Sequence, residues 1–244
     1  MENQNQDYNY NNVIQIEDSE STSRKYLASV FVWMFVALGI SAFTTFEFFA
    51  NASLMDLIVD PVAHRFTGLG YLAIFAPVAF SFVISFGFNR ISYPAMLFLF
   101  ITYAVTIGVS LSIFGLIYTA SSIFGVFLSS AVVFGIMAIA GYTTHMDLTK
   151  FGSILIMIFF AAFAVGLINF FLGSAQLQYL LSFVFVAIMI GLTAYYMQML
   201  KRIGAGMEFG TDSSKKLVLI GAFVLYTTFI NLFTSMLRIF GGRR

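Results

Sequence analysis

The chain has no cysteine, only 3 prolines, and just 9% charged residues in a length of 244. Without cysteine there can be no disulfide, no thiol nucleophile and no cysteine-ligated metal. No single sign of charge dominates either, because 12 Lys+Arg stand against 11 Asp+Glu. No bulk electrostatic case for nucleic acid as a partner can be made from that balance. A soluble domain carries about 25% charged residues. Here the place of charge is taken by apolar side chains, 60% of the total, with a mean hydropathy of +0.92. Such a chain is expected to be an all-α integral membrane protein, with the lipid bilayer as its first partner. Strands are not expected, since no polar–apolar alternation of the transmembrane-barrel kind occurs.

Seven apolar stretches, each of roughly 20 residues, follow one another and are long enough to cross a bilayer as helices. They lie at about 26–49, 69–88, 94–114, 121–140, 151–172, 179–200 and 217–240. Together they make one transmembrane domain, 26–240, with a short basic end at 241–244. Residues 1–25 are rich in Asn, Gln, Tyr, Ser and acids and nearly devoid of aliphatic residues, which predicts a disordered polar tail. That segment lacks the basic start and short apolar run of a signal peptide. Pro77 should kink the second span, and Pro94 suits the first turn of the third. With the amino terminus inside, Arg24, Lys25, Arg90, Lys150, Lys201, Arg202, Lys215 and Lys216 are internal, against Arg65, Arg238, Arg243 and Arg244 outside. Eight against four predicts a cytoplasmic amino terminus. Three external charges crowd the carboxyl terminus, so a re-entrant last segment with both termini inside stays open. No internal repeat suggests an inverted-repeat transporter.

Ionisable residues inside membrane spans usually mark transport or catalysis, and here they are nearly missing. The interiors of spans two to six hold no Asp, Glu, Lys, Arg or His. An intramembrane aspartyl protease has no acid pair to use, HExxH is absent, and the last span lacks the lysine of a retinal Schiff base. His64 and His145 are solitary loop residues. No catalytic set, metal site or cofactor is expected, and hence no enzyme.

Uncharged polar groups do remain. In LVLIGAFVLYTTFINLFTSMLRIF, residues 217–240, Thr227, Asn231, Thr234 and Arg238 are spaced four, three and four apart, on one helical face. Tyr226, Thr228 and Ser235 widen that stripe. A polar stripe in a bilayer should face other helices or a wet cavity, which predicts that the last helix is central. The competing explanation is plain interhelical adhesion, worth about 0.6 kcal/mol for each hydrogen bond. Gly191, Tyr195, Gln198 and Arg202 share a face of the sixth span, and the two stripes could meet across the bundle. Asn169 lies in the fifth span, three residues after Gly166.

GLTAYYMQMLKRIG and LYTTFINLFTSMLRIFGG resemble the last two helices of the Bax inhibitor-1 family. The stretch from SLSIFG to GSILIM, with its GYTTHMDLTK loop, and ISFGFNRIS after the second span resemble the bacterial branch. The resemblance covers about residues 24–241. It implies a seven-helix bundle with the last helix central, in the bacterial inner membrane. It also implies a pH-sensitive calcium leak and protection against cell stress. In that family the pH response is attributed to aspartates in TAYDxQ and LYLDFINLF. Tyr196 and Thr228 stand at those positions here, while Arg90 matches the basic residue ending the second helix. A pair of nearby carboxylates titrates as a coupled switch and offers the hard oxygens calcium prefers. Tyrosine stays neutral to about pH 10 and threonine does not titrate. A Tyr196–Thr228 hydrogen bond could latch the two helices without answering to mild pH change. The expected function is therefore a cation leak, calcium included, with altered or lost pH gating. Its gating and pore candidates are Tyr196, Thr228, Asn231, Gln198, Arg90 and Asn169. The alternative is a non-transporting regulator of a membrane protease or another integral membrane protein.

Overall fold

The computed structural model describes residues 2–63, 65–87, 90–208 and 210–243, with side chains from Glu20 onward. His64, Arg244 and the last residue of the 69–88 stretch, named above, lie outside those residues.

Apolar composition sets the elements. Among the described residues, seven helices are long and apolar enough to cross a membrane. They are the Glu20–Ala50 part of α1 (Glu2–Ala50), α3 (Gly68–Gly87), α4 (Tyr93–Ser112), α6 (Ala120–Thr143), α7 (Thr149–Leu172), α8 (Ala175–Ala205) and α9 (Asp212–Phe240). The one-turn helix α2 (Ala52–Met55) follows the first span, and α5 (Phe114–Ile117) completes the third, which runs Tyr93–Ile117. The polar linker after α2 carries a small antiparallel hairpin, β1 (Val59–Asp60) with β2 (Arg65–Phe66), in which Val59 pairs with Phe66. Asp60 Oδ1 accepts from the amides of Val62 and Ala63 and so closes its turn. The helix α1 runs back to Glu2 through the segment whose composition predicts an unordered tail.

Several helices begin and end a few residues outside their apolar stretches, because their caps sit in the polar connectors. Thr119, Ser174 and Thr211 accept the first free amides of α6, α8 and α9, and Gly173 ends α7 in the left-handed region at φ 67°.

The closing helix α9 is the axis of the bundle. It packs against α1, α4, α6 and α8. In its apolar window 67% of residues are buried, against 17% for the peripheral α7. At 29 unbroken residues, its length of about 43 Å exceeds a hydrocarbon core of about 30 Å. That length suits a full crossing better than a re-entrant segment. Ser23, at the start of the first span, donates to the carbonyl of Lys201 at the end of α8, 2.9 Å away. At the other end of the bundle, Arg243 bridges to Tyr118 and the Thr119 amide donates to Gly242 O at 3.1 Å. The start of the first span and the carboxyl end of the chain thus lie at opposite ends of the bundle.

Small residues and hydroxyls set how closely the helices approach. A Cβ on Gly108 would sit 2.7 Å from the carbonyl oxygen of Ser41, so α1 and α4 meet at backbone distance there. Ser41 and Thr45 on α1 use that closeness to donate to Ala104 O (2.7 Å) and Gly108 O (2.9 Å). Pro77 lies inside α3 and has no N–H to give the carbonyl four residues earlier. That carbonyl, Ala73 O, receives the Ser110 hydroxyl of α4 instead, at 2.6 Å.

Candidate functional site

Nearly every residue of α9 between Val218 and Leu237 is buried, except a line of partly exposed ones at Ile220, Val224, Thr227, Asn231 and Thr234. The polar stripe read from the sequence is that line, continued by Arg238. It lies on the least covered side of the central helix, not on its most buried face. Its groups are bonded mostly to one another: Asn231 Nδ2 donates to Thr227 O at 3.0 Å and Thr234 Oγ1 to Asn231 O at 3.2 Å. The Thr227 hydroxyl reaches α4, 3.2 Å from the Tyr103 hydroxyl. Arg238 is partly exposed at the end of the line, with no carboxylate within 4.0 Å among the described residues.

The packed side of α9 carries Tyr226, Thr228 and Ser235. Thr228 donates to Val224 O in its own helix, at 2.8 Å. Tyr196, half-buried on α8, rests its ring on that of Tyr195 at 5.2 Å between centroids. No hydrogen bond joins Tyr196 to Thr228, both of them described residues, so the expected latch does not form; Thr228 spends its only proton within α9.

The stripe of α8 faces away from α9. Gly191 and Tyr195 lie against Leu155 and Gly152 of α7. Gln198 takes the Leu148 amide at 2.9 Å and donates to Met146 O at 2.7 Å. Arg202 pairs with Asp147 at 2.9 Å and also reaches Thr149 Oγ1 and Gln198 Oε1. These side chains clamp the loop between α6 and α7, and the two stripes do not meet. The Thr149 hydroxyl and amide, then Arg202, hold the Asp147 carboxyl well below its usual range, at about 2.

Asn169 is buried, but its amide spans the α7–α8 turn, donating to Ser174 O at 3.0 Å and accepting from Ser174 N at 3.2 Å. Arg90 is exposed just beyond α3. Of the six candidates, only Asn231 lies on the half-open line; Thr228 is buried beside it.

One polar group passed over in the sequence is Ser41. Its hydroxyl proton goes to Ala104 O, so the Tyr226 hydroxyl beside it must be the donor to Ser41 Oγ. A lone serine in an apolar run carries no sequence signal of this, since its partners lie 63 and 185 residues away. Among the described residues no group of three or more His, Asp or Glu could hold a metal ion.

The family model described as "Inhibitor of apoptosis-promoting Bax1" matches residues 23–244. The inner membrane protein YbhL of Escherichia coli (strain K12) is 36% identical over 222 residues, covering 90% of this chain and 92% of YbhL. An uncharacterized protein of Rickettsia prowazekii (strain Madrid E) is 35% identical over 228 residues, 91% of each chain. An uncharacterized membrane protein of Streptococcus pyogenes serotype M3 is 30% identical over 220 residues, 89% of this chain and 92% of its own.

Proposed function

The chain belongs to the Bax inhibitor-1 family of multi-pass membrane proteins, and from that footing we propose that it is a cation leak, calcium among its ions, that has lost its pH gate. One observation carries this: the central helix leaves one line of polar groups, Thr227, Asn231 and Thr234, partly uncovered, while the neighbouring polar side chains Tyr226, Thr228 and Ser235 are packed inward. Buried polar groups are costly in a bilayer unless wetted or bonded, and this line is the natural course for water and ions. The loss of gating rests on Tyr196 and Thr228. Neither has a carboxyl to titrate near neutrality, and they are not bonded to each other. Arg238 at the end of the line adds a positive charge that slows cations at that mouth. The excess of basic residues on one side supports a cytoplasmic amino terminus, with Arg238 toward the outer face, in a bacterial inner membrane like that of YbhL.

The test is ion flux through purified protein in dye-loaded liposomes. Expected is a small calcium flux that does not vary between about pH 6 and 8, where neither tyrosine nor threonine titrates. Tyr196→Asp with Thr228→Asp should make the flux pH-dependent, and Arg238→Gln should raise it. A strong acid-sensitive flux in the unaltered protein would overturn the lost gate. No flux above empty liposomes for any cation would overturn the leak itself and leave a regulator of another membrane protein as the better account.

A further inference from the structure

A groove of about 680 Å³ opens on the other side of the bundle, between α1 and α6, with Met197 and Phe229 as its floor. That volume lies within the roughly 300–1,000 Å³ usual for small-molecule sites. Two glycines face it from opposite walls, Gly39 and Gly135, and a Cβ built on either meets nothing within 4 Å. Gly141 of α6, outside the groove, is different: a Cβ there would lie 2.2 Å from Ala194 O. The lips Phe35 and Ile139 are 65% and 66% exposed, so the groove opens sideways, within two spanning helices, toward hydrocarbon. Apolar cavities of this kind stay dry, so lipid rather than water is the natural filling.

One end of the groove is marked by charge. Tyr142 lines it there. Lys201 Nζ sits 4.4 Å from the centre of the Tyr142 ring and donates to Tyr142 O at 2.9 Å. An ammonium has three protons to donate, and no carboxylate among the described residues lies within 4.0 Å of this one. By contrast, Arg24, Arg202 and Lys215 near the same end of the bundle each have an acidic partner.

We propose that the groove between α1 and α6 holds an acyl chain of an anionic phospholipid whose phosphate rests on Lys201. The chain supplies the apolar contact that the two glycines leave open, and the headgroup supplies the negative charge that Lys201 lacks.

Native mass spectrometry of the full-length protein in mild detergent, titrated with phosphatidylglycerol or with phosphatidylcholine of the same chains, tests this. Phosphatidylglycerol should be retained about fivefold more tightly, the preference expected of one lysine at an anionic lipid. Lys201→Gln should erase the preference but keep chain binding. Gly39→Phe and Gly135→Phe, from opposite walls, should each abolish retention of both lipids. Gly125→Phe is the control on α6, because its Cβ also meets nothing within 4 Å yet it lies outside the groove. The proposal is overturned by equal retention of the two lipids in the unaltered protein, or by retention that survives both filling substitutions. It is equally overturned by a two-chain species that Gly135→Phe splits, which would make a second copy the occupant.

Discussion

Ser41 shows how unequal the two ends of one hydrogen bond can be. Ser41→Ala removes the acceptor of the buried Tyr226 hydroxyl and leaves it without a partner, while Ala104 O loses the serine but keeps its helical bond from the Gly108 amide. Tyr226→Phe removes one hydroxyl and leaves the Ser41–Ala104 bond intact. Unfolding in detergent should therefore show a loss of about 1–3 kcal/mol for Ser41→Ala and nearer 0.6 kcal/mol for Tyr226→Phe. Asp147 sets a different expectation, one in pH. Its carboxyl is depressed from 3.8 to about 2. A depressed carboxyl contributes fully above its ordinary value, and the contribution is lost as pH falls through the folded one. The loop clamp is thus constant between pH 6 and 8. Protection of the 146–149 amides against hydrogen exchange, corrected for intrinsic rate, should not change across that range, whereas Asp147→Asn should lower it at every pH.

At the scale of the helix, Pro77 and Ser110 form one unit on two elements. The proline orphans a carbonyl, and the serine of the next helix satisfies it. Ser110→Ala should cost about 1 kcal/mol. It should cost less in a Pro77→Ala background, where the alanine supplies the missing N–H; a thermal double-mutant cycle in detergent reads the coupling. Gly141→Leu should prevent correct assembly, with backbone of α8 in its way, while Gly125→Leu should be tolerated. The spans themselves were plain in the sequence, because runs of about 20 apolar residues have few other solutions. Their ends were less so, because caps such as Ser174 and Thr211 are polar and fall in what hydropathy marks as connector.

At the scale of the whole molecule, the sequence placed α9 at the centre correctly but for an incomplete physical reason. A helix surrounded on most sides buries whatever it carries, so the polar stripe went to the side least covered, and Tyr226, Thr228 and Ser235 were packed inward. The stripe of α8 went astray because its partner, the 144–148 loop, is tied by Asp147 and two backbone groups, none visible in a helical spacing. Since the chain has no cysteine, single substitutions report cleanly. Asn231→Cys and Thr234→Cys in vesicles should react with a charged, water-borne thiol reagent, and Leu232→Cys and Leu237→Cys should not. Reaction of position 231 solely with a membrane-soluble reagent would place the line against acyl chains and remove the basis of the leak. The return of Gly242 and Arg243 onto Thr119 and Tyr118 bears on how the protein is handled. Thr119 caps α6, so a fluorescent or affinity tag fused after residue 243 would begin at a stitched seam rather than a loose thread, and would pull on the cap of another helix. Tagged preparations are better made from the amino end.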